Sequence, residues 1–199
     1  MTGVQTCALP ISDADGKKGG GYYSADGRNL RKAFLRSPLE FSRVSSGFGM
    51  RHHPFLQSWR AHRGVDYAAP AGTRVRAVGD GVVDFAGRQG GYGNVVIVRH
   101  ASNTTTLYAH LSGMVRALRK GSRLAQGDTV GWVGRTGWAT GPHLHYEFRV
   151  AGEARNPLAV TLPAAQPVAA QQMGAFRGQA QPLIAQLDLL VQGDLALLE

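Results

Sequence analysis

Between residues 41 and 158 the chain is written in short runs of alternating apolar and polar residues, cut repeatedly by Gly and Asp. A two-residue period at that length is the mark of half-buried strands, so the region reads as an all-β domain rather than a mixed or helical one. The clearest strands are residues 73–78, 81–86, 93–100, 104–110, 129–133 and 143–150, with Ala101, Ser102 and Asn103 turning a hairpin between the third and fourth. Gly90-Gly91-Tyr92-Gly93 is a tight turn: no Lys-Ser/Thr follows it, and it opens no helix, so it is no phosphate loop. An internal echo is also visible. Gly72-Thr73-Arg74-Val75 recurs as Gly121-Ser122-Arg123-Leu124, and Gly79-Asp80-Gly81-Val82 as Gly127-Asp128-Thr129-Val130, with nearly the same offset. The repeat points to a duplicated β unit.

The last strong strand carries Gly141-Pro142-His143-Leu144-His145-Tyr146-Glu147-Phe148. Side chains two apart on a strand share a face, so His143 and His145 point one way and Leu144 the other, with Cα atoms roughly 6–7 Å apart. That spacing suits one imidazole on a metal ion and the other over a bound water. Further donors lie upstream in His62-Arg63-Gly64-Val65-Asp66. In a straight strand His62 and Asp66 would stand about 13 Å apart, too far for one ion. Gly64 followed by β-branched Val65 disfavours a helix, so a bend at Gly64 leading into a short strand is the expectation. Two imidazoles and one carboxylate with an open fourth position form a catalytic zinc set, not a closed structural site. The same donors also occur in the iron oxygenase triad, which the ligand spacing and the late His-x-His fit poorly.

At this point the chain resembles the LytM/lysostaphin-type zinc metallopeptidases, marked by His-x-x-x-Asp and a late His-x-His. The resemblance runs over residues 41–158. It includes Ser46-Gly47-Phe48-Gly49-Met50-Arg51, Leu107-Tyr108-Ala109-His110 and Gly137-Trp138-Ala139-Thr140-Gly141-Pro142. It implies a barrel-like β sandwich of the kind also seen in lipoyl and biotinyl carriers, although the Met-Lys or Asp-Lys turn that a carrier needs is not found. It implies one zinc ion held by His62, Asp66 and His145, with His143 as general base and His110 as a second catalytic imidazole. It implies hydrolysis of peptidoglycan stem-peptide cross-links by a zinc-activated water, at the D-alanyl–diaminopimelate bond cut by the Gram-negative murein endopeptidases. His52 and His53 are expected on the groove or surface, Tyr108 and Tyr146 in packing, and His100 in no catalytic part. The groove is expected between residues 45–55 and 137–142. Three rival readings are a non-catalytic LytM-like domain that binds the wall or activates an amidase, the iron oxygenase, and a plain polyanion-binding β domain. The first is opposed by the presence of all five residues; metal identity and the effect of metal removal separate the other two.

The flanks read differently. Met1-Thr2-Gly3-Val4-Gln5-Thr6-Cys7-Ala8-Leu9-Pro10-Ile11 looks like translated sequencing adapter and is set aside from fold reasoning, and with it goes Cys7, the one cysteine of the chain. Residues 12–39 read as a linker or the remnant of an upstream region, including a lead-in at 30–38 like that of the larger murein endopeptidases. Residues 40–160 are the peptidase domain. Residues 161–199 are a Pro/Ala/Gln linker and an amphipathic helical tail with apolar positions at Leu183, Leu187, Leu190, Val191, Leu195 and Leu198, interrupted by Gly193. The net charge of +9 is dispersed and matches no nucleic-acid module, so nucleic acid is not an expected partner. It suits an anionic wall. The resemblance places the chain in the periplasm or cell envelope, membrane-anchored in the full-length protein, with an anchor or regulatory domain upstream.

Overall fold

The structure, a computed structural model, describes residues 9–11, 21–29, 33–41, 43–52, 58–162 and 167–196. Its contacts divide into two compact units, one of Met1–Ala33 with Ala164–Glu199 and one of Phe34–Pro163.

In the first unit β1 (Leu9–Ile11) pairs antiparallel with β2 (Gly21–Tyr23), and α1 spans Met173–Ala196. Phe176 and Ala180 are buried on one face of α1, with Tyr23, Val168, Met173 and Ile184 packed against them. The spacing 176, 180, 184 is the i, i+4, i+8 ridge of a helix, and the edge-on contact of Tyr23 with Phe176 at 5.9 Å closes it. The helical tail is therefore present and runs through Gly193 without a break. Its buried stripe is one position off the expected one: Leu183 is 41% exposed. The side chains of Leu187, Leu190, Val191, Leu195 and Leu198 lie outside the described residues. Among the described residues no helix is long and apolar enough to cross a membrane.

The second unit is all β. Its strands are β3 (Arg43–Ser46), β4 (Gly49–His52), β5 (Trp59–His62), β6 (Val65–Ala68), β7 (Arg74–Arg76), β8 (Gly81–Gln89) and β9 (Gly93–Arg99). They continue with β10 (Thr104–Met114), β11 (Arg123–Leu124), β12 (Thr129–Val133), β13 (His143–Val150) and β14 (Glu153–Arg155). Ten of them form one open sheet with the path β11-β8-β9-β10-β13-β6-β3, to which β12, β7 and β14 attach; β4 and β5 form a separate ribbon. Every pairing is antiparallel.

The sequence echo has a structural counterpart. β7, from the first copy, pairs with β12 of the second, while β11, from the second copy, pairs with β8 of the first. The flanking turns repeat the same crosswise bonds: Ala77 and Gly127–Asp128 exchange backbone hydrogen bonds, as do Val83 and Gly121–Ser122. Each copy thus completes the other. The lead-in residues Phe34 and Leu39 are buried in this unit, Phe34 edge-on to both Phe148 and His100.

β10 and β13 are the central strands and are covered on both faces. One face carries Leu144, Tyr146 and Phe148 with Thr106 and Tyr108 opposite them, an apolar and aromatic layer. Thr106 joins two buried polar groups there, with His100 Nε2 at 2.8 Å and the Tyr108 hydroxyl at 3.0 Å, while His100 Nδ1–H donates to the Asp80 carbonyl. Tyr108 in turn accepts from the Val78 amide. Burial satisfied in this way explains His100 and Tyr108 as packing residues, and Tyr146 packs its ring against those of Tyr108 and Tyr67. Thr106→Val keeps the shape but strands His100 Nε2 and loosens Tyr108, so it should lower unfolding free energy by about 1–3 kcal/mol. The check is urea denaturation, read as a lower midpoint at unchanged slope.

Candidate metal centre

The opposite face of the same strands is polar. The register sets His145 of β13 beside Asp66 of β6 on one side and beside Ala109 of β10 on the other. Cross-strand partners share a face, so a row Asp66–His145–Ala109 crosses three strands, and the small Ala109 leaves room for the imidazole. His62 ends β5, and the chain turns at Arg63-Gly64 into β6. That bend is the one expected from the sequence, and it has a steric cause. A Cβ on Gly64 would lie within 2.4 Å of the Tyr146 carbonyl oxygen and 2.9 Å of His145 Cε1. Glycine alone lets His62 fold back over the row.

The three side chains meet. His62 Nε2 lies 3.1 Å from Asp66 Oδ1 and 3.0 Å from His145 Nδ1, and His145 Nδ1 lies 2.8 Å from Asp66 Oδ1. Their outer bonds settle which atoms carry protons. His62 Nδ1 faces the Gly47 carbonyl at 2.6 Å, and His145 Nε2 faces Glu147 Oε1 at 3.0 Å. Both partners only accept, so both outer nitrogens are donors. The inner nitrogens then turn bare lone pairs toward each other and toward the carboxylate. One proton can bridge only one of these three pairs; a divalent cation satisfies all three. Ligand atoms about 2.0–2.2 Å from a tetrahedral zinc stand roughly 3.3 Å apart, slightly wider than the triangle here. The donor set fits zinc in number, type and spacing.

Around the triangle lies a layer that sequence reasoning passed over. Glu147, 1% exposed, receives His145 Nε2–H, the Tyr92 hydroxyl at 2.7 Å and Arg149 Nε at 2.7 Å. Arg51 donates to the outer oxygen of Asp66 at 3.0 Å and to Ser46 Oγ at 3.0 Å. Burial would raise the Asp66 carboxyl, but the neighbouring imidazoles of His145 and His62 hold it far below the usual carboxylate range. Glu147 shows the same contest: burial raises it, and His145 and Tyr92 bring it down. Burial would lower His145; Asp66 and Glu147 outweigh it and raise the imidazole. Burial and the Glu147 bond push the Tyr92 phenol up to about 12, against the pull of Arg149 and Arg63. The signal for Glu147 was available, because a residue two past His145 must share its face. Arg51 and the backbone acceptors required the folded chain.

His143 lies one step from the triangle. Its Nδ1–H donates to the Gly141 carbonyl at 2.8 Å, and its Nε2 stands 3.9 Å from Asp66 Oδ1. His110 arrives by a different device. Strand alternation would aim it away from Ala109's face, but it sits at a register shift of β10 with φ of +59°. A bulge of this kind re-aims a side chain. The His110 ring comes 4.7 Å from His143 and 5.9 Å from His145, and its Nδ1–H donates to the Thr136 carbonyl at 2.8 Å. Burial lowers its pKa to about 4. His110 is therefore neutral at pH 7. His52 stays outside this cluster, edge-on to Trp59 at 6.5 Å, and His53 lies outside the described residues.

His62, His110, His145 and Glu147 floor a groove of about 760 Å³. Met50 and Arg51 contribute from the expected 45–55 segment, and Trp138 from the expected 137–142 segment. The remaining wall comes from β5 and from the Gly90–Tyr92 turn, which sequence reading left out. That turn packs closely on the Gly137 loop. Gly137 has φ of +73°, and a Cβ there would come within 2.4 Å of Gly91 O and Gly93 N.

Three comparisons with known proteins bear on this arrangement. Peptidase family M23 matches residues 60–157. The chain is 50% identical over 158 residues to the DD-carboxypeptidase/endopeptidase Mpg of Neisseria meningitidis serogroup B, covering 78% of this chain and 36% of that protein. It is 46% identical over 170 residues to the peptidoglycan DD-endopeptidase ShyC of Vibrio cholerae, covering 85% of this chain and 39% of that one. It thus spans little more than a third of the length of these relatives. A crystal structure of a zinc containing peptidase from Vibrio cholerae superposes with a TM-score of 0.62 at 33% identity, covering 74% of this chain and 46% of that chain. With its fold, its donor triangle and these relatives in agreement, the chain belongs to Peptidase family M23.

Proposed function

We propose that the chain is a zinc endopeptidase that hydrolyses peptide cross-links of peptidoglycan at the D-alanyl–diaminopimelate bond, with residues 40–160 as its catalytic domain. The observation that carries this reading is a pair of imidazoles, His143 and His110, held beside the donor triangle with their Nδ1 protons spent on backbone carbonyls. A domain that only bound the wall would need neither. The names of Mpg and ShyC support the reaction class and the substrate, and the net charge of +9 suits an anionic polymer. Its place of action is the periplasm or cell envelope.

His62, Asp66 and His145 would hold the ion. Zinc bound there supplies Lewis acidity toward the scissile carbonyl and lowers the pKa of water to about 7. His143 Nε2, bare and facing the triangle, takes the proton of the attacking water as general base, and the Gly141 carbonyl steadies the imidazolium that results. His110 enters neutral with Nε2 bare, so it acts on the tetrahedral intermediate or the leaving amine only after a proton has reached it. The Thr136 carbonyl keeps its ring aimed meanwhile. The groove, open along the β4–β5 ribbon, admits an extended peptide.

Digestion of diaminopimelate-type sacculi, with products identified by mass, tests the proposal. Wild-type protein should convert cross-linked dimers to monomers, a chelator should abolish this, and added zinc should restore it. His143→Ala should lose about 10²–10⁴-fold in rate while keeping its zinc. Intact dimers after treatment with folded, zinc-loaded protein would instead favour the wall-binding or amidase-activating domain. Two further outcomes concern the metal. Glu147→Gln weakens the bond that orients His145 and should reduce zinc affinity by about 10–100-fold, measured by competition with a chromophoric chelator. His145 is raised above the ordinary imidazole pKa, so below that raised value zinc must displace its proton. Affinity measured from pH 8 to pH 6 should therefore fall with falling pH, approaching about tenfold per unit for one displaced proton.

A further inference from the structure

The β4–β5 ribbon walls the groove, and its register sets Arg51 directly opposite Arg60. Cross-strand partners have Cβ atoms about 4.5–5.5 Å apart, and like charges so placed repel. Arg51 is compensated by Asp66 and Ser46. Arg60 and Arg63 also line the groove, and neither has a carboxylate partner among the described residues. Glu147, the sole carboxylate among the described lining residues, is buried and already taken by Arg149, Tyr92 and His145. Two uncompensated guanidinium groups thus flank the metal ligand His62 in the chain. Arg60 shares the His62 face of β5, one strand repeat of about 7 Å away. Two exposed guanidinium groups beside an active centre offer a place for an anion to lie.

We propose that Arg60 and Arg63 bind free carboxylates of the substrate next to the scissile amide, and so select cross-links whose diaminopimelate carboxylate is free over those in which it is amidated. The proposal rests on the endopeptidase reading above. In a D-alanyl–diaminopimelate cross-link, the carbon bonded to the scissile amide nitrogen carries a carboxylate. That group travels with the amide into the metal site, within reach of long side chains around His62. The planar guanidinium fork matches a carboxylate with two parallel hydrogen bonds. An amidated diaminopimelate or a glycine bridge offers no charge at that place.

The test is steady-state cleavage, by the zinc-loaded full chain, of two purified disaccharide–peptide dimers that differ only in having this carboxylate free or amidated. Wild type should favour the free acid by roughly ten- to hundredfold in kcat/KM. Arg60→Gln and Arg63→Gln should each erode that preference, and the double variant should abolish it. The losses should appear in KM on the free-acid dimer, with the amidated dimer cleaved nearly as before, and Arg60→Lys should recover part of the preference. A merely structural role would lower both substrates together and leave their ratio intact. An unchanged ratio in the double variant, or equal cleavage of both dimers by wild type, overturns the proposal while leaving the endopeptidase reading standing. Failure of wild type to cut either dimer overturns both.

Discussion

The fold is organised around a repulsion. Three lone pairs, on His62 Nε2, His145 Nδ1 and Asp66 Oδ1, face one another across 2.8–3.1 Å in a buried place. No arrangement of hydrogen bonds satisfies all three at once, because the outer nitrogens have already committed their protons to Gly47 and Glu147. A bare cluster of this kind opposes folding, and a cation turns it into a crosslink between β5, β6 and β13. Stability and metal content are therefore linked: whatever binds only the folded triangle adds to the folding free energy. The strand register brings Asp66 and His145 together whether or not the ion is bound. That is how a β-sheet, stabilised elsewhere by apolar layers, can hold an unfavourable site ready.

Two arginines make that burial tolerable. Moving a carboxylate out of water is expensive unless its oxygens are paired. Asp66 turns one oxygen to the imidazoles and has the other paired outward with Arg51; Glu147 is paired with His145, Tyr92 and Arg149. Each acid has one face toward the site and another toward a cation. The result is a polar layer on one side of β13 and an aromatic layer on the other, from a single alternating sequence. His143, His145, Glu147 and Arg149 share the first face; Leu144, Tyr146 and Phe148 share the second.

Much of this was legible. Period-two alternation gave the main strands, the Gly64 bend was predicted from residue chemistry, and the duplicated turns were visible as an echo. What stayed hidden was non-local. Crosswise pairing of the two copies depends on which strands meet, and no spacing in the chain states that. Leu183 illustrates a related limit: a helical period locates an apolar stripe only to within a position, and packing on Tyr23 chose Phe176, Ala180 and Ile184. His110 is the sharpest case. Its strand alternates correctly on paper, and alternation gives the wrong face; only the backbone, with φ of +59°, reverses it. The role of that histidine entered from resemblance to a family, because residue chemistry by itself would have turned it away.

The same strained residue shows how this sheet makes room for chemistry. A non-glycine residue in the left-handed region costs of order 1–3 kcal/mol, and it persists where its surroundings over-determine it. Around His110 those surroundings are specific. Nδ1–H is held by Thr136 O, the Thr136 hydroxyl bonds to Leu111 O, and the amide of Asn94 bonds to the Thr136 hydroxyl. The bulge is thereby tied to both β9 and the loop after β12, the segments that also pack Gly93 against Gly137. A regular β10 would leave His110 on the aromatic face, with Tyr108, and the metal site would face one imidazole instead of two. The irregularity of β10 is thus the feature that converts a metal-binding sheet into one with a second imidazole at its open side.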